Sequence, residues 1–156
     1  MQNKSPSGFK AERISFQLGM INCFVEMVAC GVKKLALSPP LSPEDYVTIG
    51  PLSDKIVKRF HLKSHLEKSL MITDLQADDF TKGKWNILYY EDESVLQAYF
   101  KLKEKKAALE KSGHYDTEAR KDISREFMRL LSYPENKIKE KIARKIPESP
   151  FMLTDD

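Results

Sequence analysis

The chain has 156 residues, a mass of 18.0 kDa, 41% hydrophobic and 31% charged residues, and a formal net charge of +3. That composition excludes intrinsic disorder, and the length gives room for one sizeable core. The net charge is too small to demand a polyanionic partner, and the longest apolar run, Met20 to Ala29, is interrupted by Asn22 and Glu26 and is too short to span a bilayer.

Residues 1–8 carry Ser, Pro and Gly and read as a tail. The spacing of Ile14, Leu18, Ile21, Val25 and Val28 predicts a helix over Phe9–Cys30, widened by Phe24 and Met27 and ended at Gly31. Met20 is an alternative start, which would make 1–19 an extension plus the beginning of the helix. Cys23 and Cys30 lie seven residues apart in this segment. On a helix that is about 10 Å, beyond the reach of a disulfide, so reduced, buried thiols and a cytoplasmic setting are expected.

Val32–Ser38 reads as a first strand, stopped by Pro39-Pro40. Ser42-Pro43-Glu44-Asp45 is a helix start, with a serine cap, proline at the first position and acids in the first turn. Gly50-Pro51 is expected to break or kink that helix before Leu52, Ile56 and Phe60 continue it. Leu62–Leu66 and Leu70–Thr73 read as strands and 74–83 as a polar loop. Trp85–Tyr90 is an aromatic and β-branched strand. Ser94 and Gln97 form a capping box for a helix carrying Val95, Tyr99 and Leu102, whose end, 103–111, loses its apolar face and projects into solvent. After a turn at 112–116, Thr117–Leu131 is amphipathic through Ala119, Ile123, Phe127 and Leu130. A second capping box, Ser132 with Glu135, opens a last helix that buries Ile138, Ile142 and Ile146 and leaves Lys139, Lys141 and Lys145 in water.

These elements make an α/β fold: a small sheet of three to four strands with helices packed against it, and a helical C-terminal third. The expected organisation is one α/β domain over 20–131, with 132–156 as a docked helix plus tail. The segment Val32–Leu66 is read as a right-handed crossover joining parallel strands.

Charge is unevenly distributed. Glu67–Glu93 holds seven acids against three lysines, whereas Lys101–Ile146 holds fourteen Lys/Arg against eight acids. If Leu70–Thr73 and Trp85–Tyr90 are parallel neighbours, Asp74, Asp78, Glu91 and Asp92, with Asp79 and Glu93, converge beyond their carboxyl ends. Such carboxylates suit Mg²⁺ shared with a substrate phosphate, as in phosphoryl transfer or hydrolysis. Antiparallel strands would part them. His61 and His65 with Cys23 and Cys30 offer zinc-ligand residue types, but the cysteine spacing is wrong for a structural zinc turn. Lys137, Lys139, Lys141, Arg144 and Lys145 form a basic helix face able to touch nucleic-acid phosphates. No glycine-rich phosphate loop and no Gly-x-Ser-x-Gly elbow occurs. The preferred expectation is a binding or assembly domain without catalysis or cofactor, with no membrane partner. It is expected to form a homodimer, because the first helix is apolar around much of its circumference.

Overall fold

A computed structural model describes residues 12–75 and 81–144. In chain order the described elements are α1 (Arg13–Ala29), β1 (Leu35–Leu37), α2 (Pro43–Arg59), β2 (Lys63–Glu67), β3 (Asn86–Tyr90), α3 (Glu93–Lys111), α4 (Thr117–Leu130) and α5 (Glu135–Ala143). The strands form one antiparallel sheet in the order β1-β3-β2, with Leu37 opposite Leu88 and Leu66 opposite Ile87. This is the small sheet with packed helices expected from the sequence. β1 and β2 run parallel, as expected, with β3 inserted between them, so the crossover that joins them is a split one. Leu70–Thr73 is not a strand.

All five residues of β3 are buried, because helices cover both faces of the sheet. Alternation along the strands divides the core. Ala36, Ile87 and Tyr89 face Ile21, Val25 and Val28 of α1 and Ile49 and Val57 of α2. Leu35, Leu88 and Tyr90 face Leu96, Tyr99 and Leu102 of α3 and Ile123 and Phe127 of α4. The Tyr89 hydroxyl shares a 2.7 Å hydrogen bond with Ser53 of α2, which satisfies both buried groups.

The helix ends explain several differences from the sequence reading. Ser42 caps α2 as expected, accepting from the Asp45 amide at 3.1 Å. α2 then runs through Gly50-Pro51 without a break. Pro51 is exposed, so the carbonyl it leaves without an intrahelical donor lies on the solvent side. For α3 the cap is Asp92, which accepts from the Ser94 amide, so the Ser94–Gln97 box does not form. For α5 the cap position is Pro134, with no side-chain bond. Ser132 instead accepts from the Lys34 amide, and Glu135 pairs with Arg129. Both residues of that expected box are thus engaged by other elements.

α1, α2, α3 and α4 each end in a Schellman turn, closed by bonds such as Val32 N–H to the Met27 carbonyl and Leu62 N–H to that of Val57. Gly31 and Gly113 take the left-handed position in two of them; His61 (φ 56°) and Ser132 (φ 66°) take it in the others. The end of α3 does not leave the body, since Leu109 packs against the α3–α4 core. α5 docks on α4 through Ile138, which is 1% exposed; Ile142 is half-buried, and Ile146 lies outside the described residues.

Candidate functional site

The expected acidic metal site loses its premise. β3 is antiparallel to both neighbours, and the segment leading to Asp74 is not a strand. Asp74 is turned to α4, where it accepts from the Ser124 hydroxyl at 3.3 Å and pairs with Arg120 at 3.4 Å. Asp92 is occupied as the α3 cap, and the Ser94 amide holds its carboxyl below the ordinary value. Glu91 is exposed at the end of β3, and Glu93 lies 3.7 Å from Lys63. Asp78 and Asp79 lie outside the described residues. Among the described residues no group of three or more His, Cys, Asp or Glu is arranged to hold a metal ion.

The zinc-type residues are also spread apart. His65 is on β2 with its ring edge-on to Phe100, whereas His61 sits in the turn after α2. Cys23 and Cys30 are exposed rather than buried, because both point away from the α1–sheet contact. On α5, Lys137 is bonded to Glu140 and the Lys141 ammonium stacks 5.3 Å above the Tyr133 ring, so two of the expected phosphate-reaching cations are already engaged. Lys145 lies outside the described residues.

Inside the domain, the most developed polar constellation surrounds Glu67 at the end of β2. Its carboxylate accepts from the Tyr99 hydroxyl, the Lys103 ammonium and the Ser69 amide, each at 2.8 Å. Burial by itself pushes this carboxyl up. Donation from Lys103, Ser69 and Tyr99 outweighs burial, and the net position is below the ordinary carboxylate range. Burial and the adjacent Glu67 carboxylate push the Tyr99 phenol far above its ordinary value. Neither group is held ready for proton transfer near neutral pH; the arrangement clamps β2 to α3.

The surface feature with most to explain is α1. One stripe, Gln17, Ile21, Val25 and Val28, is buried against the sheet and α2. A second, Phe16, Met20, Cys23, Met27 and Cys30, advances by alternating steps of four and three residues along the opposite side. Phe16 and Met20 are half-buried, Cys23 and Cys30 exposed, and Met27 is 40% exposed. Polar or small residues, Ser15, Gly19, Asn22, Glu26 and Ala29, fill the remaining arc. The sequence showed the surplus of apolar residues, but the two stripes separate only once the sheet has claimed one of them.

No helix among the described residues is long and apolar enough to cross a membrane. No known protein family, curated protein or solved structure matches this chain.

Proposed function

We propose that this protein is a non-catalytic α/β binding module that self-associates as a homodimer through the outer face of α1. The observation that carries the reading is the second apolar stripe, Phe16, Met20, Cys23, Met27 and Cys30, on a helix whose other side is already packed. Apolar positions spaced by four and three residues are the pattern with which one helix packs along another. A two-fold pairing covers both copies of such a stripe at once, and two-fold dimers are the commonest closed assemblies. From Phe16 to Cys30 the stripe covers 15 residues, about 21 Å of rise along the helix, which fits a modest, concentration-dependent dimer. The setting proposed for it is the cytoplasm, where the exposed thiols of Cys23 and Cys30 stay reduced.

Sedimentation equilibrium across the micromolar range tests the reading. The expected mass rises from 18.0 kDa toward twice that value with concentration. Changing Cys23→Glu together with Met27→Glu should return the mass to that of the monomer. Both positions are exposed, so the circular dichroism spectrum should not change. A wild-type protein that stays monomeric at every concentration refutes self-association. A dimer indifferent to the double substitution refutes the assignment to α1.

A further inference from the structure

We propose that the open edge of β2 binds an extended peptide segment of a partner protein, which joins the sheet as a further strand. The inference does not depend on the pairing of α1. Sheet register decides which main-chain groups are free. Leu41 and Trp85 exchange two 2.8 Å hydrogen bonds, and the Ser38 N–H donates to the Ile87 carbonyl at 2.8 Å. Trp85 and Ile87 therefore turn their main-chain groups toward the β1 side. Alternation turns those of Asn86, Leu88 and Tyr90 toward β2, where they meet Glu67, His65 and Lys63. The N–H and carbonyl groups of Ser64 and Leu66 then point the other way, out of the edge of the sheet.

Among the described residues nothing takes up these groups. The sheet order ends at β2, and no main-chain hydrogen bond from another element reaches Ser64 or Leu66. No proline or bulge interrupts the ladder from Lys63 to Glu67, so the usual devices that blunt an edge strand are missing. The opposite edge is closed. Leu35 of β1 is completely buried, and the start of that strand is tied to the α4–α5 turn. Lys33 donates there to the Leu131 carbonyl at 2.7 Å, and the Lys34 N–H to the Ser132 hydroxyl at 2.9 Å. In β2, by contrast, Lys63 is exposed and Ser64, His65 and Leu66 are only half-buried.

Unmet main-chain donors and acceptors in strand geometry specify the main chain of another strand as their occupant. Antiparallel pairing is the more stable form, and in it the peptide residues opposite Ser64 and Leu66 exchange both hydrogen bonds with them. Their side chains fall on the face that Ser64 and Leu66 share with Tyr89 and Ile87. On that face Ile56, Phe60, Leu62 and Leu66 are partly buried against the core, so apolar peptide residues there extend it. The residue between them lies opposite His65, on the face where His65 meets Phe100 of α3. The partner segment is therefore extended, with apolar residues at the two alternate positions that carry the bonding N–H groups.

The test is a titration of the full chain with acetyl-Thr-Val-Thr-Val-Thr-amide, followed by amide chemical shifts. The peptide should move the amides of 62–68 in a saturable way. A version N-methylated at both valines lacks the bonding N–H groups and should not bind. A version N-methylated at the middle threonine, whose N–H points away from β2, should bind as the parent does. Ser64→Pro removes an outward N–H without touching the ladder to β3, and edge strands accept proline. It should weaken the parent peptide by about tenfold or more, with circular dichroism unchanged. If that variant does not fold, the two N-methylated peptides still decide. Absence of saturable shifts at 62–68, equal effects of the two N-methylations, or binding by a folded Ser64→Pro protein at the wild-type affinity overturns the site. Shifts at 62–68 that grow with protein concentration in the absence of peptide assign the edge to a second copy and overturn the partner.

Discussion

Glu67→Gln tests whether the buried clamp between β2 and α3 stabilises the fold. The Glu67 side chain is 8% exposed and its two oxygens take three hydrogen bonds, from Tyr99, Lys103 and Ser69. Glutamine can keep an oxygen toward the Ser69 amide but then presents an N–H₂ group to two donors. Tyr99 is fully buried and finds no water, so the loss of its bond to a charged acceptor costs about 1.5–3 kcal/mol. The Lys103 side chain is 36% exposed and can swing into solvent, so its share is discounted to about 0–1 kcal/mol. The expected loss is roughly 2–4 kcal/mol near neutral pH. Because the folded-state pKa of Glu67 is depressed, its contribution is complete above the unfolded value and is lost as pH falls through the folded one. Urea unfolding, read by circular dichroism and Trp85 fluorescence, should therefore show a wide gap between wild type and variant at about pH 7. The gap should narrow below about pH 4. A gap of the same size at both pH values, or one below about 0.5 kcal/mol near neutrality, refutes this account of the clamp.

Further substitutions address other elements. Ile138→Ala should cost about 2–5 kcal/mol in chemical denaturation, Ile142→Ala less because that side chain is only half-buried, and Lys139→Ala less than about 0.5 kcal/mol. Equal, small losses at all three would show that α5 is not docked. His61→Gly should stabilise the protein by about 0.5–1 kcal/mol, the left-handed strain relieved less the added freedom of the unfolded chain. This corresponds to a melting temperature higher by about 1–4 °C. Ser132→Gly, in the same backbone conformation, should not give that gain, because its hydroxyl accepts from the Lys34 amide. A melting temperature unchanged or lowered by His61→Gly counts against strain at that turn.

What the sequence determined by itself was local. The periodicity of Ile21, Val25 and Val28, the Ser42-Pro43 start, the terminating Gly31 and the strand character of Trp85–Tyr90 each reflect interactions within a few residues. Those interactions survive in the fold, and with them the class of a small sheet covered by helices. Where a local signal competed with a distant partner, the distant partner won. Ser132 could cap α5 but meets the Lys34 amide across 98 residues, and Glu135 is taken by Arg129. Strand direction and order were not legible, because alternation along a strand states which faces are buried and not which neighbour supplies the hydrogen bonds. The antiparallel direction of β3 and the absence of a strand at Leu70–Thr73 removed the premise that would have gathered the expected carboxylates. Only the tertiary structure turned Asp74 to α4 and left Cys23 and Cys30 exposed.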